Sequence, residues 1–310
     1  MKALIFSGQG TQKYSMGKDL YEHFTLAKKL FEEANEILGR RITDIMFYGD
    51  ELELSKTINA QPAIFLYQVI VTLVQDYIKP DLVCGHSLGE YSALVISGTL
   101  SFKDGLELVN QRAIISQDVC DRSETSMAAI IGFSDNKVLE MISEFYSETG
   151  ENVYVANYNG PGQIVISGTR KGIKECCKFF NQAGAKRAVI LPISGGFHSP
   201  FVSSAEKQLS DIIKKYNFCK PSIPILQSTN SKVNIDSNLI KDNLSKHLTS
   251  SVNFTEMIKE LVRFGVTSFY EVGTDDTLQK IVKRMYPNHN IDTILNIPNY
   301  KNLLTNYSIT

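Results

Sequence analysis

The sequence predicts an α/β protein in which a large α/β-hydrolase-like domain with a parallel sheet carries a smaller inserted subdomain. Apolar runs of strand length alternate with helical stretches in the first part of the chain, which is typical of a parallel sheet covered by helices. A serine between two glycines stands where one such run gives way to a helix. From 126 to 192 the predicted order changes to β-α-β-β-α-β, the ferredoxin-like arrangement. We therefore expect the large domain at 1–125 and 193–310 and the inserted ferredoxin-like subdomain at 126–192.

The elements of the large domain follow from apolar periodicity and capping signals. A strand, two helices, a second strand and a third helix are predicted at about 2–6, 17–38, 61–78, 81–84 and 101–120. Pro62 near the start of the second helix suits a first helical turn, and Ser101 with Asp104 is typical of an N-cap. After the insertion, a helix is expected from about 200 to 216 and a strand over 266–272.

The inserted subdomain has its own alternation of short strands and helices. Strands are predicted at 127–132, 153–157, 163–168 and 188–191, with helices over 135–147 and 170–183. The last residues of the chain, 300–310, are polar, and we expect them to be loosely held.

Composition limits the classes of function. The chain has 310 residues, of which 43% are hydrophobic and 21% charged, and its formal net charge is −1. No basic field therefore indicates binding to nucleic acid or to a membrane surface. The N-terminal apolar run is too short for a signal peptide, and no stretch approaches the roughly 20 apolar residues of a membrane helix. The five cysteines are scattered and fit neither a disulfide framework nor a CxxC metal site. We expect a cytoplasmic protein without a bound metal.

The segment GHSLG at 85–89 indicates a candidate nucleophile, Ser87. It follows an apolar strand and precedes a helix, which is the context in which G-x-S-x-G forms a nucleophile elbow. The glycines allow a sharp turn and close backbone approach, and the free N–H groups at a helix start favour developing negative charge. An ordinary strand-to-helix turn is the alternative for these five residues.

A serine nucleophile needs a base that takes its proton. The chain has five histidines: His23, His86, His198, His247 and His289. His198 differs from the others because its segment, ISGGFHSP at 193–200, has the glycines and proline of a loop that can hold a side chain over a cleft. His86 adjoins the serine, where neighbouring turn residues seldom face each other, and the remaining three lie in polar contexts. His198 is the predicted base, with a structural loop histidine as the alternative.

Two further roles are less clear from the residues alone. An acid that orients the histidine would lie between the serine and His198, but the candidates there all resemble caps or surface charges: Asp104, Asp118, Asp121 and Asp135. A dyad oriented by a backbone carbonyl is at least as plausible. Arg112 interrupts an apolar helix face. It is either a surface arginine or a buried guanidinium that binds a substrate carboxylate.

Seven segments, in order along the chain, resemble the malonyl-CoA:acyl carrier protein transacylases, a family that includes the acyltransferases of polyketide synthases. They are FSGQGTQ at 6–12, GHSLGEY at 85–91, QRA at 111–113, NYNGPGQIVISG at 157–168, GFHS at 196–199, LTSSVNF at 248–254 and EVG at 271–273. Each segment alone is weak evidence for the family, but seven segments in this order over most of the chain are highly specific for it. The chain departs from the family pattern at Ser7 and Ser251, which replace prolines, at Phe254, which replaces tryptophan, and at TDD 274–276, which replaces a P-G-K type ending.

The resemblance implies a role for each catalytic position. Ser87 would be the nucleophile and His198 the general base and acid. The backbone N–H groups of Gln9 and Leu88 would form the oxyanion hole. The backbone carbonyl near Asn253 would orient His198, which accounts for the missing acid.

The resemblance also implies the substrate and the partner. Arg112 would pair with the malonyl carboxylate, and Asn157 and Phe197 would contact the acyl group. In the polyketide acyltransferases of this family, a phenylalanine before the histidine goes with malonyl, whereas a serine there goes with methylmalonyl. The implied reaction is ping-pong transfer of malonyl from malonyl-CoA to the phosphopantetheine thiol of an acyl carrier protein, without a cofactor. We expect a discrete, trans-acting monomer that serves fatty-acid or polyketide synthesis.

Three other functions fit parts of the pattern. An acyl hydrolase of the same fold would share the serine and histidine but would not need Arg112. A serine esterase of the α/β-hydrolase class would need an acidic partner and leaves the insertion at 126–192 unexplained. A docking module for carrier proteins would not need a nucleophile, a base and an anion clamp together.

Overall fold

A computed structural model of the chain describes residues 1–75, 77–122 and 124–294, and the expectation for 300–310 lies outside these residues. The strands are β1 Lys2–Phe6, β2 Leu82–Gly85, β3 Thr125–Ile131, β4 Val153–Gly160, β5 Gln163–Thr169, β6 Arg187–Ser194, β7 Ile225–Gln227, β8 Lys232–Asn234, β9 Ser268–Val272 and β10 Asn290–Thr293. The helices are α1 Lys18–His23, α2 Thr25–Leu38, α3 Ile42–Tyr48, α4 Glu51–Ser55, α5 Thr57–Val74, α6 Gly89–Ile96, α7 Phe102–Arg122, α8 Asp135–Thr149, α9 Arg170–Gln182, α10 Ser203–Ile213, α11 Ser237–Ser245, α12 Phe254–Arg263 and α13 Thr277–Met285.

The larger sheet has six strands in the order β10-β9-β1-β2-β7-β8. All neighbouring pairs are parallel except β7 and β8. Phe6 at the end of β1 pairs with Gly85 at the end of β2 and with Val272 at the end of β9. The loops that follow these three strands therefore meet at the carboxyl edge of the sheet, the edge at which ligands bind in open α/β sheets.

Alternating residues of β1 and β2 bury both faces of this sheet. Leu4 and Phe6 pack into the core on the side of α5 and α7, whereas Ala3, Ile5 and Leu82 pack against the side of α12. Within the described part of the chain, one helix, α5, is long and apolar enough to cross a membrane, and 83% of its residues are buried inside the protein. Such burial is typical of a core helix.

The start of α5 differs from the prediction. The helix begins at Thr57, so that Pro62 lies inside it. A proline in a helix leaves the carbonyl four residues earlier without its N–H donor. Here that carbonyl belongs to Ile58, and it accepts a hydrogen bond of 2.9 Å from Arg40 Nη2. The arginine side chain thus replaces the donor that the proline lacks, and the helix can begin a turn earlier.

Other boundaries also differ from the sequence prediction. The helix expected over 17–38 is divided into α1 and α2 at Phe24, whose backbone is extended at φ −122° and ψ 117°. The helix expected from 200 begins at Ser203, after a short 3₁₀ turn at Pro200–Val202. The short helices α3 and α4, and the late strands β7, β8 and β10, were not predicted.

The smaller sheet has four antiparallel strands in the order β4-β5-β3-β6. With α8 and α9 packed on one face it has the β-α-β-β-α-β ferredoxin-like arrangement. Its other face presents Met127, Ala156, Val165 and Ile193, which pack with Phe197 of the following loop. The sheet extends from Thr125 to Ser194, slightly beyond the predicted limits, and we propose that it is the inserted subdomain.

Candidate active site

The turn between β2 and α6 presents Ser87 in a strained backbone conformation. Ser87 has φ 51°, in the left-handed region that non-glycine residues seldom adopt. A Cβ at Gly85 would lie 2.0 Å from the backbone of Gly89, and a Cβ at Gly89 would lie 2.2 Å from the carbonyl oxygen of Phe6. Only glycine fits at either position. The turn therefore has the local geometry of a nucleophile elbow.

His198 lies opposite Ser87 at the end of the loop that follows β6. Its own φ is 56°, and its backbone N–H donates to the carbonyl of Leu248 at 2.9 Å. The imidazole Nε2 is 2.8 Å from Ser87 Oγ, and Nδ1 is 2.9 Å from the carbonyl oxygen of Ser250. Since a carbonyl only accepts, Nδ1 carries the proton and Nε2 is free to receive the proton of Ser87.

The carbonyl that orients His198 is not the one predicted. We expected the backbone near Asn253, but the acceptor is Ser250, three residues earlier. The Asn253 carbonyl accepts from Met257 N at 3.0 Å, and its side chain accepts from Glu256 N at 3.0 Å. Asn253 is thus the N-cap of α12, and its carbonyl already has a helical partner. The neighbouring Ser251 holds the loop on β4, because its Oγ donates to the carbonyl of Val155 at 2.6 Å.

Arg112 on α7 is 4% exposed, which excludes the surface arginine. Its Nη1 donates to Gln61 Oε1 at 2.7 Å and its Nη2 donates to Ser87 Oγ at 3.2 Å. The guanidinium also lies 5.8 Å from the ring centre of Tyr91, within the range of a cation–π contact. Among the residues that the structure describes, Arg112 Nε has no hydrogen-bond acceptor and the guanidinium has no carboxylate within ion-pair distance. This is a buried cation with a free donor beside Ser87.

A second buried histidine packs against His198. The ring of His247 is 1% exposed, and its centre is 5.6 Å from that of His198. His247 Nε2 is 3.8 Å from Oε2 of the buried Glu90, which accepts from the backbone N–H and the hydroxyl of Ser228. The sequence context of His247, a polar helical stretch, carried no signal for this placement, because the approach of the turn after α11 to Glu90 on α6 is a tertiary feature.

Burial and neighbouring charge set the protonation of this cluster. Burial, together with His247 and Arg112, holds the pKa of His198 well below its usual range. Burial and Arg112 lower the pKa of His247 to about 3. Burial raises the pKa of Glu90, against the donors from Ser228 and Gln227. His198 and His247 are therefore neutral near pH 7, so that His198 is in the form that accepts a proton.

Gln9 lies in the loop after β1 and lines the same cavity as Ser87. Its side chain is fixed from both ends, since Nε2 donates to Thr57 Oγ1 at 3.0 Å and Oε1 accepts from Gln61 Nε2 at 3.2 Å. Gln61, which the sequence did not single out, therefore joins Gln9 to Arg112. Within the described residues, the backbone N–H groups of Gln9 and Leu88 have no acceptor, and both remain available to a ligand.

A buried amide, Gln68 on α5, fixes the loop of Gln9 relative to the nucleophile. Its Nε2 donates to the carbonyl of Ser7 at 2.7 Å, to Ser7 Oγ at 3.1 Å and to the carbonyl of Val272 at 3.1 Å. Its Oε1 accepts from Ser92 Oγ on α6 at 2.7 Å. Ser7 thus adds a hydroxyl to a network that connects β1, β9 and α6, the helix that follows Ser87.

The cavity at Ser87 has two unlike walls. It has a volume of about 90 Å³, and its lining comprises Gln9, Gln61, His86, Ser87, Arg112 and His198 on one side and Met127, Asn157, Ile193 and Phe197 on the other. The first wall supplies donors and the reacting groups, and the second is largely apolar. A larger cavity of about 560 Å³ shares Gln9, His86 and Ile193 with it and extends to α13. A long, narrow substrate could reach Ser87 through it.

His86 belongs to the wall and does not act on Ser87. Its Nε2 is 2.8 Å from Asn159 Oδ1, and its ring contacts the edge of Phe254 with centres 5.6 Å apart. The four aspartates considered as triad acids lie elsewhere: Asp104 bonds Ser101, Asp118 pairs with Arg122, Asp121 bonds Gln117 and Asp135 begins α8.

The sequence matches the acyl transferase domain family over residues 3–309. It is 40% identical over 294 residues to the malonyl CoA-acyl carrier protein transacylase of Bacillus subtilis, covering 94% of this chain and 92% of that protein. It is 34% identical over 283 residues to the corresponding transacylase of Staphylococcus aureus, covering 91% and 92%.

Solved structures agree with these similarities. An acyl carrier protein S-malonyltransferase of Vibrio cholerae matches with a TM-score of 0.88 and 32% identity, over 94% of this chain and 96% of that one. A malonyl-transacylase solved in complex with a type II PKS acyl-carrier protein matches with a TM-score of 0.91 and 30% identity, over 98% and 99%.

Proposed function

The chain belongs to the acyl transferase domain family, and from this premise we propose that it transfers malonyl from malonyl-CoA to the phosphopantetheine thiol of an acyl carrier protein. The relatives named malonyl CoA-acyl carrier protein transacylase match nearly the whole chain. The reaction proceeds in two halves through an ester on Ser87, and no cofactor takes part.

In the first half-reaction Ser87 attacks the thioester carbon of malonyl-CoA. The hydroxyl proton passes to His198 Nε2, 2.8 Å away, as the Oγ–C bond forms. The tetrahedral intermediate then collapses, the C–S bond breaks, and His198 returns the proton to the sulfur of CoA. The Ser250 carbonyl keeps Nδ1 protonated throughout, so that each proton transfer uses the same ring nitrogen.

We assign the backbone N–H groups of Gln9 and Leu88 to the oxyanion of this intermediate. Both N–H groups lack an acceptor within the described residues, and both belong to segments fixed near Ser87. Loss of such a donor typically costs about 10²–10³-fold in rate. Gln68 and Gln61 hold the loop of Gln9 by side-chain hydrogen bonds, and we assign them a positioning role.

The buried guanidinium of Arg112 is the observation that carries the proposal. It lies beside Ser87 and His198, carries a fixed positive charge, and has an unpaired Nε–H. A carboxylate on the acyl group would pair with it in a charge-assisted, bidentate manner. An acyl hydrolase acting on uncharged chains would have no use for this buried cation, and a docking module would need neither the nucleophile nor the base.

In the second half-reaction the carrier thiol attacks the malonyl-serine ester while His198 takes its proton. The larger cavity that adjoins the site would admit the pantetheine arm of either substrate and limit access of water to the ester. We propose that the protein acts as a cytoplasmic monomer on a separate carrier protein of fatty-acid or polyketide synthesis.

The acyl group would meet the apolar wall of the cavity. Phe197 packs with Met127 and Ile193 there, and its ring occupies space that an α-methyl group would need. Asn157 lines the same wall and would offer an amide to the thioester or the acyl group. We expect malonyl to be preferred over methylmalonyl by at least about 10-fold, since a methyl mismatch is worth about 1–3 kcal/mol.

The proposal is tested by loading and transfer. The chain is mixed with malonyl-CoA, and intact-mass spectrometry should reveal one malonyl adduct that disappears when holo acyl carrier protein is added. Malonyl should then appear on the holo carrier, and the apo carrier, which lacks the pantetheine arm, serves as the control. Release of free malonate in place of transfer would instead support the hydrolase.

A further inference from the structure

Arg112 contacts the nucleophile itself as well as the cavity. Its Nη2 donates to Ser87 Oγ at 3.2 Å, and the same oxygen donates to His198 Nε2 at 2.8 Å. Before an acyl group enters, a positive charge is therefore hydrogen-bonded to the hydroxyl that must become more electron-rich. Because both hydrogen bonds share Ser87 Oγ, that charge also lies beside the path along which the proton moves to His198 and makes it a cation.

Apart from Glu90, whose carboxyl group interacts electrostatically with Arg112, the groups around His198 do not compensate this charge. His86 and His247 are neutral near pH 7, since burial lowers the pKa of each. Tyr91, under the guanidinium, is un-ionised because burial raises its pKa above the usual range. Glu90 is separated from His198 by the His247 ring, and burial raises the pKa of its carboxyl group.

Resting on the function proposed above, we propose that the carboxylate of the bound acyl group activates its own acylation. By pairing with Arg112, it offsets the positive charge beside His198 and draws the guanidinium away from Ser87 Oγ. The Ser87 proton then moves to His198 next to a neutral ion pair, and the Oγ–C bond forms as before. An acyl group without a carboxylate, such as acetyl, leaves the charge uncompensated at the step in which the imidazolium forms.

Through this pairing, Arg112 distinguishes acyl groups by the rate of the chemical step as well as by binding affinity. An interaction that is stronger in the transition state than in the bound ground state raises kcat. Here the malonyl carboxylate stabilises the imidazolium that exists only during proton transfer. Malonyl-CoA and acetyl-CoA should consequently differ in acylation rate even when each saturates the site.

The sign of the pH effect follows from the charges. A positive charge near His198 favours the neutral imidazole and lowers its pKa, so that offsetting the charge raises the pKa. The protonated, inactive form of His198 then persists to higher pH, and the acid limb of the rate profile moves upward. Above both pKa values the stronger base gives the faster reaction.

The test is single-turnover acylation of Ser87 in the full chain, followed by intact-mass spectrometry across pH. Malonyl-CoA and acetyl-CoA are each used at limiting concentration, where the profile reports the free site, and at saturation, where it reports the complex. For malonyl-CoA, the acid limb at saturation should lie about one pH unit above the limb at limiting concentration, as one nearby charge would produce. For acetyl-CoA, which has the same CoA ionisations, the two limbs should coincide.

Variants of Arg112 separate its charge from its shape. In Arg112→Gln the acid limb of the pH–rate profile at limiting malonyl-CoA should move up by about one pH unit. The acid limbs at limiting and at saturating malonyl-CoA should then coincide. Arg112→Lys keeps the charge and should keep the limb near its wild-type position. Arg263→Gln is the control, because Arg263 is an exposed arginine that pairs with Glu256 and Glu260 at the end of α12 and does not line the cavity; it should leave both limbs in place.

The possible failures are distinguishable. If malonyl-CoA loads Ser87 and its two limbs coincide in the wild-type chain, the inference is overturned while the proposed function stands. If malonyl-CoA does not load Ser87, the proposed function is overturned. In that case phosphonylation of Ser87 by a neutral fluorophosphonate still measures the effect of Arg112, and an unshifted acid limb in Arg112→Gln would overturn the effect on His198 as well.

Discussion

The two walls of the cavity differ in how they are built and in what they can select. One wall comes from loops at the carboxyl edge of the parallel sheet together with the helices α5 and α7, and it places Ser87 and Arg112 in a network of hydrogen bonds. The other is the open face of the antiparallel sheet, where Met127, Ile193 and Phe197 form an apolar surface. Parallel strands bring separate loops to one point, where they can position several reacting groups together. A continuous antiparallel face can instead select acyl groups by their shape. Substitutions on the first wall should therefore lower the rate of acylation far more than substitutions on the second.

The largest effect is expected from Ser87→Ala. With no nucleophile, no acyl-enzyme forms, and transfer should fall by at least about 10³-fold, as in other serine enzymes. Intact-mass spectrometry after incubation with malonyl-CoA measures the adduct directly. Ser203→Ala, at the exposed start of α10, is the control and should load normally. A persisting adduct in Ser87→Ala would place the nucleophile elsewhere.

The next effect on the same wall is expected from Arg112→Ala. Removing the charged partner of a buried carboxylate should lower malonyl acylation by about 10²-fold or more. Acetyl acylation should change much less, so that the ratio of malonyl to acetyl loading collapses. Competition between the two thioesters in one reaction measures that ratio, and an unchanged malonyl yield would contradict the assignment.

Gln68→Leu tests whether the polar wall of the cavity depends on the buried hydrogen bonds of Gln68. Leucine cannot donate to the carbonyls of Ser7 and Val272, so the Gln9 loop should shift relative to Ser87. We expect acylation at saturation to fall about 10-fold, less than the 10²–10³-fold loss of a whole oxyanion donor, with little change in KM. If thermal stability falls but the saturated rate is unchanged, Gln68 is structural only.

On the apolar wall, Phe197→Ser should change selectivity more than rate. A smaller side chain leaves room for an α-methyl group, so the preference for malonyl over methylmalonyl should fall by about 10-fold. Malonyl acylation itself should stay within a few-fold of wild type, because the Phe197 carbonyl still accepts from Ser167 Oγ. Phe201→Ser, at a more exposed phenylalanine nearby, is the control. Unaltered selectivity in Phe197→Ser would remove this ring from the acyl site.

The smallest effect is expected from Asn253→Ala, which separates folding from catalysis. Loss of the side-chain cap on α12 should cost about 1 kcal/mol and lower the melting temperature by about 2 °C. Acylation should not change, because Ser250 provides the carbonyl for His198. A clear loss of acylation at unchanged stability would restore the original assignment to Asn253.

Local signals in the sequence were sufficient for part of this site. The glycines around Ser87 and the glycine-rich loop before His198 are short-range features, and each predicts the backbone that the structure has. Arg112 could not be decided locally, since a snorkelling and a buried arginine have the same helical context. Resemblance to a family favoured the buried form, and the structure agrees.

The remaining parts depend on tertiary packing. No side-chain pattern in the sequence shows which backbone carbonyl accepts from His198. The prediction was Asn253, but the path of the loop places the carbonyl of Ser250 against Nδ1. His247 and Gln68 lie in helical patterns whose partners come from distant segments. The early start of α5 required Arg40 to satisfy a carbonyl, which periodicity around Pro62 could not indicate.

The chain enters and leaves the smaller sheet at almost the same place. β3 and β6 are neighbours, with Ser126 opposite Ser194, and Gly195 N donates to the carbonyl of Thr125 at 3.3 Å. For protein engineering this would make the proposed inserted subdomain exchangeable, because a replacement has only to span two adjacent backbone positions. The residues of the apolar wall that lie on this sheet can thus be redesigned together, while the turn that holds Ser87 and the helix α7 that carries Arg112 keep their own connections.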